Sequence, residues 1–460
     1  MSETVDFLVI GGGPAGLAAA TLADELGLSV LVLDEQFEPG GQIYRSIESV
    51  HPKTLSLLGK DYGQGAAIAA AFRKSGTAYM PGASVWRLDE DGTVAYSRDG
   101  KGATAKGRRV LVATGAMERP VPIPGWTLPG VMSAGGAQAL LKSSGVVPSG
   151  RVVVAGCGPL ALLVTQQLIA AGANVQALLE TTRTGDYLSA ARHLPKALRA
   201  RSYLSKGMKM RRSIRAAGVA IHSCVEKLAA AGGDHVQSIS FQRGSSQNEI
   251  EVDSLFLHFG VAPNTQITRQ VGCDHEWYEA QRYWRPVRND WGATSCEAIA
   301  IAGDGGGIDG AVAAALTGRL AALDAACRQG VIDNSERDRR ATPIRAELET
   351  HNAIRPLLDA LFTPPQDICA PPDDATIVCR CEEVTAGDIR EAVALGAMGP
   401  NQLKSFTRCG MGPCQGRMCG LTAAELIAEA NGETVKNVGY YRIRPPIKPV
   451  TLGELASMSD

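Results

Sequence analysis

The sequence predicts an α/β fold: two separate βαβ units on parallel sheets, then a small cysteine-bearing module near the C-terminal end. Three observations carry that prediction. A strand, a glycine-rich turn, a helix and a second strand occupy residues 4–34, and the same order returns at 151–180. The strands alternate with Ala- and Leu-rich helices, and a crossover helix brings the chain back in the direction that pairs strands in parallel. Five of the eleven cysteines crowd between Cys379 and Cys419, while the rest are scattered singly.

Composition bounds the function. A chain of 460 residues is long enough for several cores. Its 52 glycines suit helices lying close on sheets, and a 45% hydrophobic content excludes a disordered chain. A net charge of −1 offers no general footprint for nucleic acid. The N-terminus enters the apolar run 7–10 with no basic region before it, so no secretory signal is expected. No membrane span is expected either, because the longest apolar stretches carry charges such as Asp24 and Glu25. In a cytoplasmic chain, clustered cysteines point to metal or redox chemistry ahead of structural disulfides.

In the first unit, residues 4–10 are apolar and strand-like, 17–26 helical and 29–33 strand-like again. Between the first strand and the helix lies Gly11-x-Gly13-x-x-Gly16. The first glycine permits the tight turn, the second lets a pyrophosphate approach the backbone, and the third lets helix and strand pack closely. The helix N-terminus offers free N–H groups and positive partial charge to phosphates. Asp34 stands where an acid binds a ribose diol, with Glu35 as the neighbouring alternative. An ordinary glycine-rich turn is the competing reading, and the register of strand, helix and acid argues against it.

Downstream, Ala113-Thr114-Gly115 ends a strand, and Gly303-Asp304 follows the strand at 299–302. These resemble the ATG and GD segments of flavoproteins with two dinucleotide domains, the relatives of thioredoxin reductase and ferredoxin reductase. Gly40-Gly41-Gln42 resembles the GG segment that this family sets beside the flavin. The resemblance implies FAD at the first site, with Gly41, Gln42, Thr114, Gly115, Gly303 and Asp304 around it.

The second fingerprint is Gly156-x-Gly158-x-x-Ala161, and Glu180 ends its second strand. The same physics predicts an adenine dinucleotide, and Glu180 favours NAD over NADP because it repels a 2′-phosphate. A duplicated domain can also keep its turn while its pocket is lost or filled by another group, so NAD(H) turnover is the lesser expectation.

The third constellation is Cys379-x-Cys381 with Cys409-x-x-x-x-Cys414. Zinc knuckles usually present CxxC pairs, which fits this spacing poorly. A [2Fe–2S] cluster needs four thiolates and nearby donors, and the glycine-rich loop from Arg408 to Arg417 offers N–H groups, with Arg380, Arg408 and Arg417 adding positive charge. The expected ligands are Cys379, Cys381, Cys409 and Cys414, with Cys419 a bystander and a metal-free or zinc module as the alternative. No CxxC pair lies near either fingerprint, which argues against a disulfide reductase. His258 reads as structural, and the basic stretch 192–215 as a solvated helical face, with a docking surface or phosphate contact as the sharper reading.

The expected division is a discontinuous FAD domain at 1–150 and 265–330 and an NAD-type domain at 151–264. A charged helix and Pro-rich linker follow at 331–375, an iron–sulfur domain at 376–435 and an extended tail at 436–460.

Over nearly its full length the chain resembles the large FAD-binding (A or α) subunit of heteromeric amine and amino-acid dehydrogenases, the family of opine oxidase, hydrogen cyanide synthase and D-hydroxyproline dehydrogenase. The residues that carry this are Gly40-Gly41-Gln42-Ile43-Tyr44-Arg45, the run from Ala113 to Pro120, and Ile123-Pro124-Gly125-Trp126-Thr127-Leu128-Pro129-Gly130-Val131. The ending Arg444-Pro445-Pro446-Ile447-Lys448-Pro449-Val450 adds to them. The C-terminal module resembles the bacterioferritin-associated-ferredoxin type of [2Fe–2S] domain. The resemblance implies an electron-relaying role. Its partners would be a D-amino-acid-oxidase-like FAD subunit that oxidises the C–N bond, a small ferredoxin-like subunit, plus a downstream acceptor, with FMN held where subunits meet. The alternative is a self-contained NADH-dependent flavoprotein reductase that feeds a ferredoxin-like acceptor.

Overall fold

The computed structural model describes residues 4–459. The first sheet grows from β1 (Thr4–Ile10), β2 (Val30–Asp34) and β3 (Ala78–Pro81), followed by the meander β4 (Ser84–Leu88), β5 (Thr93–Arg98) and β6 (Lys101–Val112). Its order is β3-β2-β1-β6-β5-β4, and β1 is parallel to both β2 and β6. The strand Ile299–Ile301 returns from far along the chain to pair in parallel with the end of β6, which makes this domain discontinuous. Residues 7–10 are buried on both faces, and this explains their unbroken apolar run: a parallel sheet covered on two sides has no polar face to show.

Helix Pro14–Glu25 follows the first turn and lies against helix Ala311–Arg328. Small side chains let the two backbones approach. A Cβ at Gly318 would run into the carbonyl oxygen of Ala15, and one at Gly16 into that of Gly11.

Two short strands, β7 (Ala116–Glu118) and later β16 (Val261–Pro263), carry the chain to and from the second domain and pair with each other antiparallel. Between them lie β8 (Val131–Ser133), β9 (Arg151–Cys157), β10 (Asn174–Glu180), β11 (Ala220–His222), the antiparallel sheet β12 (Val225–Gly232), β13 (Val236–Arg243) and β14 (Ser246–Glu251), and β15 (Ser254–Phe259). The second parallel sheet runs β11-β10-β9-β15-β8, so the second domain takes in the chain from just after β7 and begins before the expected residue 151.

The Pro-rich stretch does not behave as a spacer. Helix Arg355–Leu361 precedes it, and Pro364, Ile368, Cys369 and Ala370 are buried. Phe362 and Ile368 join the core of the second domain with Val153, Leu179 and Phe259. The cysteine module carries helices Ala386–Ala394, Pro400–Thr407 and Gly420–Asn431. Its Val378, Leu403 and Leu426 share one continuous core with Leu88, Val110 and Ile301 of the first sheet. The tail is extended only in its Pro-rich middle: helix Val435–Val438 precedes that stretch and helix Leu452–Ala456 follows it, so 436–460 is not extended throughout, and it lies on its own chain. Tyr441, Ile443 and Ile447 are buried, and the Ile447 N–H donates to the Trp86 carbonyl. Among the described residues no helix is long and apolar enough to cross a membrane.

Gly318→Ala should destabilise the protein by ~1–3 kcal/mol through overpacking of the two helices, read by urea unfolding. Gly63→Ala is the control. Gly63 is helical with open space around its Cβ position, so that variant should keep or gain stability.

Candidate functional site

The first turn is shaped as a cradle. Gly11 has φ +108°, Gly40 +129° and Gly41 +61°, conformations that favour glycine. The Gly40 N–H donates to the Gly12 carbonyl at 2.8 Å, and a Cβ on Gly41 would lie 2.8 Å from the Cα of Gly13. The GG segment therefore closes over the turn. Asp34 is 5% exposed, its Oδ2 accepts from the Tyr79 hydroxyl at 3.2 Å, and burial raises its pKa. That desolvated carboxylate at the strand end suits a ribose diol. Glu35 points outward and pairs instead with Lys448 of the tail at 2.7 Å.

The ATG and GD segments meet near this turn. Gly303 has φ +69°, and a Cβ there would lie 2.9 Å from the Cβ of Ala15. Asp304 Oδ1 accepts from the N–H groups of Asp309 and Gly310, both at 3.0 Å, which orients the start of helix Ala311–Arg328. Gly115 has φ +64°, and its carbonyl accepts from the Asn264 N–H at 3.0 Å. Thr114 Oγ1 donates to the Asn264 carbonyl at 3.4 Å. Gln42 is exposed and holds Arg45.

Lys142 belongs to no sequence motif, yet it supports this site. It is 5% exposed, and its Nζ donates to the carbonyls of Gln42 (3.2 Å) and Ile43 (2.9 Å), pinning the GG loop from helix Ala134–Ser144. A single lysine on the apolar side of that helix was the available signal.

The second turn has the expected backbone, with Gly156 at φ +139° and Gly158 at +109° leading into helix Pro159–Ala170. Its acid is already engaged. Glu180 is 7% exposed, pairs with Arg211 and accepts from the Ser223 hydroxyl at 3.1 Å. One member of the basic stretch therefore turns inward, while Lys206 pairs with Asp61 and Arg199 with Glu349. His258 is buried, with Nδ1 2.5 Å from Glu118 Oε1, whose other oxygen accepts from the Gly135 N–H.

In the C-terminal module the thiols of Cys379, Cys409 and Cys419 are buried, and their sulfurs lie within 4.8 Å of one another. Hydrogen bonds from Cys409 and Cys419 pull the Cys379 thiol far below its ordinary value, and the Gly410 and Glu382 N–H groups act in the same direction. The Tyr441 hydroxyl donates to the Cys409 carbonyl at 3.0 Å and lies 3.4 Å from its sulfur. Cys381 is exposed, Cys414 is half-buried, and the two adjoin each other beside the trio. Cys419 thus stands inside the thiol group; the repeated spacing Cys409-x-x-x-x-Cys414-x-x-x-x-Cys419 was the signal for it. Sulfur donors with N–H groups turned on them suit a soft metal or an iron–sulfur cluster.

The two sites are joined. Gln266, 3% exposed, sits two residues beyond Asn264 and donates from Nε2 to the Gln415 carbonyl, in the cysteine loop, at 3.2 Å. An ion pair of the half-buried Arg282 with the buried Glu425 ties the chain beyond β16 to the module's helix Gly420–Asn431.

Comparison with known proteins agrees with this layout. The family described as pyridine nucleotide-disulphide oxidoreductase matches residues 5–330, and the sarcosine oxidase A3 domain matches residues 374–459. The A subunit of opine oxidase from Rhizobium meliloti is 43% identical over 100% of this chain and 88% of its own length. The hydrogen cyanide synthase subunit HcnB of Pseudomonas protegens is 31% identical over 96% of both chains. The crystal structure of L-proline dehydrogenase from P. horikoshii superposes with a TM-score of 0.71 at 19% identity, covering 99% of this chain and 80% of that one, a likeness of fold. The reductase fold supports FAD binding.

Burial pushes Lys142 down to about 7, with Arg45 adding to the effect. Between that pH and the ordinary lysine value the unfolded chain holds a proton that the folded chain lacks, so this residue makes stability rise with pH there and contributes a constant penalty below it. In Lys142→Met that rise should be absent. Denaturant unfolding of both proteins at pH 6, 8 and 10 checks it, and parallel curves would refute the assignment.

Proposed function

The chain belongs to the pyridine nucleotide-disulphide oxidoreductase family and, within it, to the group of opine oxidase A subunits, and from that membership we propose that it is the electron-relaying FAD and iron–sulfur subunit of a heteromeric dehydrogenase or oxidase. The complex would oxidise the C–N bond of an opine, a D-amino acid, hydroxyproline or a similar amine. Substrate oxidation would fall to a D-amino-acid-oxidase-like FAD subunit, with FMN at a subunit interface and a small ferredoxin-like subunit completing the assembly.

The observation that carries this reading is the joint between the two sites, where residues 264–266 hold the Gly115 turn at one end and the cysteine loop at the other. FAD supplies one- and two-electron chemistry, and an iron–sulfur cluster supplies one-electron chemistry. In this proposal Gly11, Gly13 and Gly16 admit the pyrophosphate, Asp34 takes the ribose, and Asp304 orients the helix at the phosphate end. Gly41 and Gln42, with Thr114 and Gly115, border the flavin ring, and Lys142 fixes the loop that carries them. Substrate binding on a partner accords with the chain's own motifs, which serve nucleotide or thiol chemistry.

The set Cys379, Cys381, Cys409, Cys414 and the buried trio share Cys379 and Cys409, which are the ligands proposed on either count. Anaerobically prepared protein should hold about two iron and two sulfide per chain. Each of Cys379→Ser, Cys409→Ser and Cys419→Ser should abolish both. Full iron and sulfide in Cys419→Ser would restore the set read from spacing, and zinc without sulfide would remove the cluster altogether.

The chain should be purified alone and with the products of its neighbouring genes, then assayed on opines, D-amino acids, hydroxyproline and glycine with an artificial acceptor. Turnover is expected only from the complex. Substantial turnover by the isolated chain would refute the relay assignment.

A further inference from the structure

In an open α/β sheet a dinucleotide binds in the crevice outside the carboxyl ends of the strands. In the second domain that crevice lies beyond Cys157 of β9, Glu180 of β10 and Phe259 of β15. It is occupied by the chain itself. Residues 362–368 cross it. The Phe362 carbonyl lies 4.0 Å from the Cys157 sulfur, and Phe362 and Ile368 pack in one cluster with Cys157, Leu179 and Phe259. Cys157 is the middle residue of the fingerprint turn and is 4% exposed. Pro365, Asp367 and Ile368 face Thr181, Val225 and Leu228 across a narrow cavity.

The crossing is anchored at both ends. Before it, Asp359 accepts from the Tyr278 hydroxyl at 2.8 Å and pairs with Arg355 at 2.6 Å, and Gln281 Nε2 donates to the carbonyls of Asp359 and Phe362. After it, the Trp126 indole N–H of the second domain donates to the Ile377 carbonyl at 2.7 Å, with Arg380 over its ring. Asp367 also brings a carboxylate with a buried, unpartnered oxygen to this cavity, whose other walls carry Arg183 and Lys227.

We infer that residues 362–368 are a built-in plug over the second nucleotide site, which keeps a nicotinamide from the first-site flavin and so decides that this chain does not take electrons from NADH. The transfer it prevents is passage of a hydride from NADH to the flavin, which with one proton from solvent would leave NAD⁺ and reduced FAD. That transfer needs donor and acceptor in contact, and the plug fills the space the donor would enter. The inference rests on the functional reading only in placing FAD at the first site.

Two measurements on the full chain test it. The first is alkylation of the folded protein, mapped by mass spectrometry. Cys157 should react at least about tenfold more slowly than the half-buried Cys224, the scale of a lost packing contact. Equal rates would overturn the plug whether or not the chain holds FAD. The second is anaerobic flavin bleaching by saturating NADH. Phe362→Ala/Ile368→Ala should exceed wild type about tenfold or more in both bleaching rate and Cys157 labelling. Fast bleaching of wild type would overturn the inference. So would a double variant with full FAD content and an exposed Cys157 that bleaches no faster. If the double variant loses its FAD, the two wild-type measurements decide.

Discussion

The arrangement depends on one shared hydrophobic core, in which the cysteine module lies against the outer face of the first sheet. Leu88, Val110 and Ile301 from the sheet meet Val378, Ile389, Leu403 and Leu426 from the module, with Tyr441 and Ile447 of the tail sealing the edge. Apolar burial of this extent is non-directional and strong, and it brings the cysteine loop beside the segments that frame the first turn. The chain must travel from the end of helix Ala311–Arg328 to that face. Its path across the second domain, the anchored crossing at 362–368 and the strapped tail all follow from this requirement.

Directional contacts then set the register within that core. Arg282 pairs with Glu425, which is 3% exposed, across the domain boundary. With Glu425 buried, the pair adds little net stability, because desolvation offsets attraction, but leaving that carboxylate without its partner is costly, so it discriminates between alternative dockings. The buried pair of Arg109 with Asp324 plays the same part between β6 and helix Ala311–Arg328. Lys448 reaches from the tail to Glu35, next to Asp34 of the first site. The three ends of this chain's chemistry, nucleotide turn, thiol group and tail, are therefore mechanically one unit.

That unity changes the meaning of the second nucleotide domain. Its sheet order, its positive-φ glycines and its terminal acid are those of a working dinucleotide site. Its acid, however, is bonded to Arg211 and Ser223, and its crevice holds residues 362–368. The domain serves as a surface on which the C-terminal third of the chain is laid down.

Much of this was legible in the sequence because it is local. Gly11-x-Gly13-x-x-Gly16 with Asp34, and Gly156-x-Gly158 with Glu180, each lie within one βαβ unit, where spacing along the chain dictates spacing in space. The discontinuous first domain was legible because Gly303-Asp304 follows an apolar strand. Lys142, Gln266 and the crossing at 362–368 were not. Their partners lie far away in sequence, as Gln266 does from Gln415 and Phe362 from Cys157, and no periodicity records such pairs. Prolines at 364, 365, 371 and 372 state only that the chain is extended there; whether an extended segment spans solvent or fills a crevice depends on apolar surface offered by another domain. The sequence by itself determined the two nucleotide folds and the thiol-rich module, since backbone conformation and binary patterning act over neighbouring residues. The tertiary structure alone decided which thiols meet and where residues 362–368 come to lie, because long-range burial sets both.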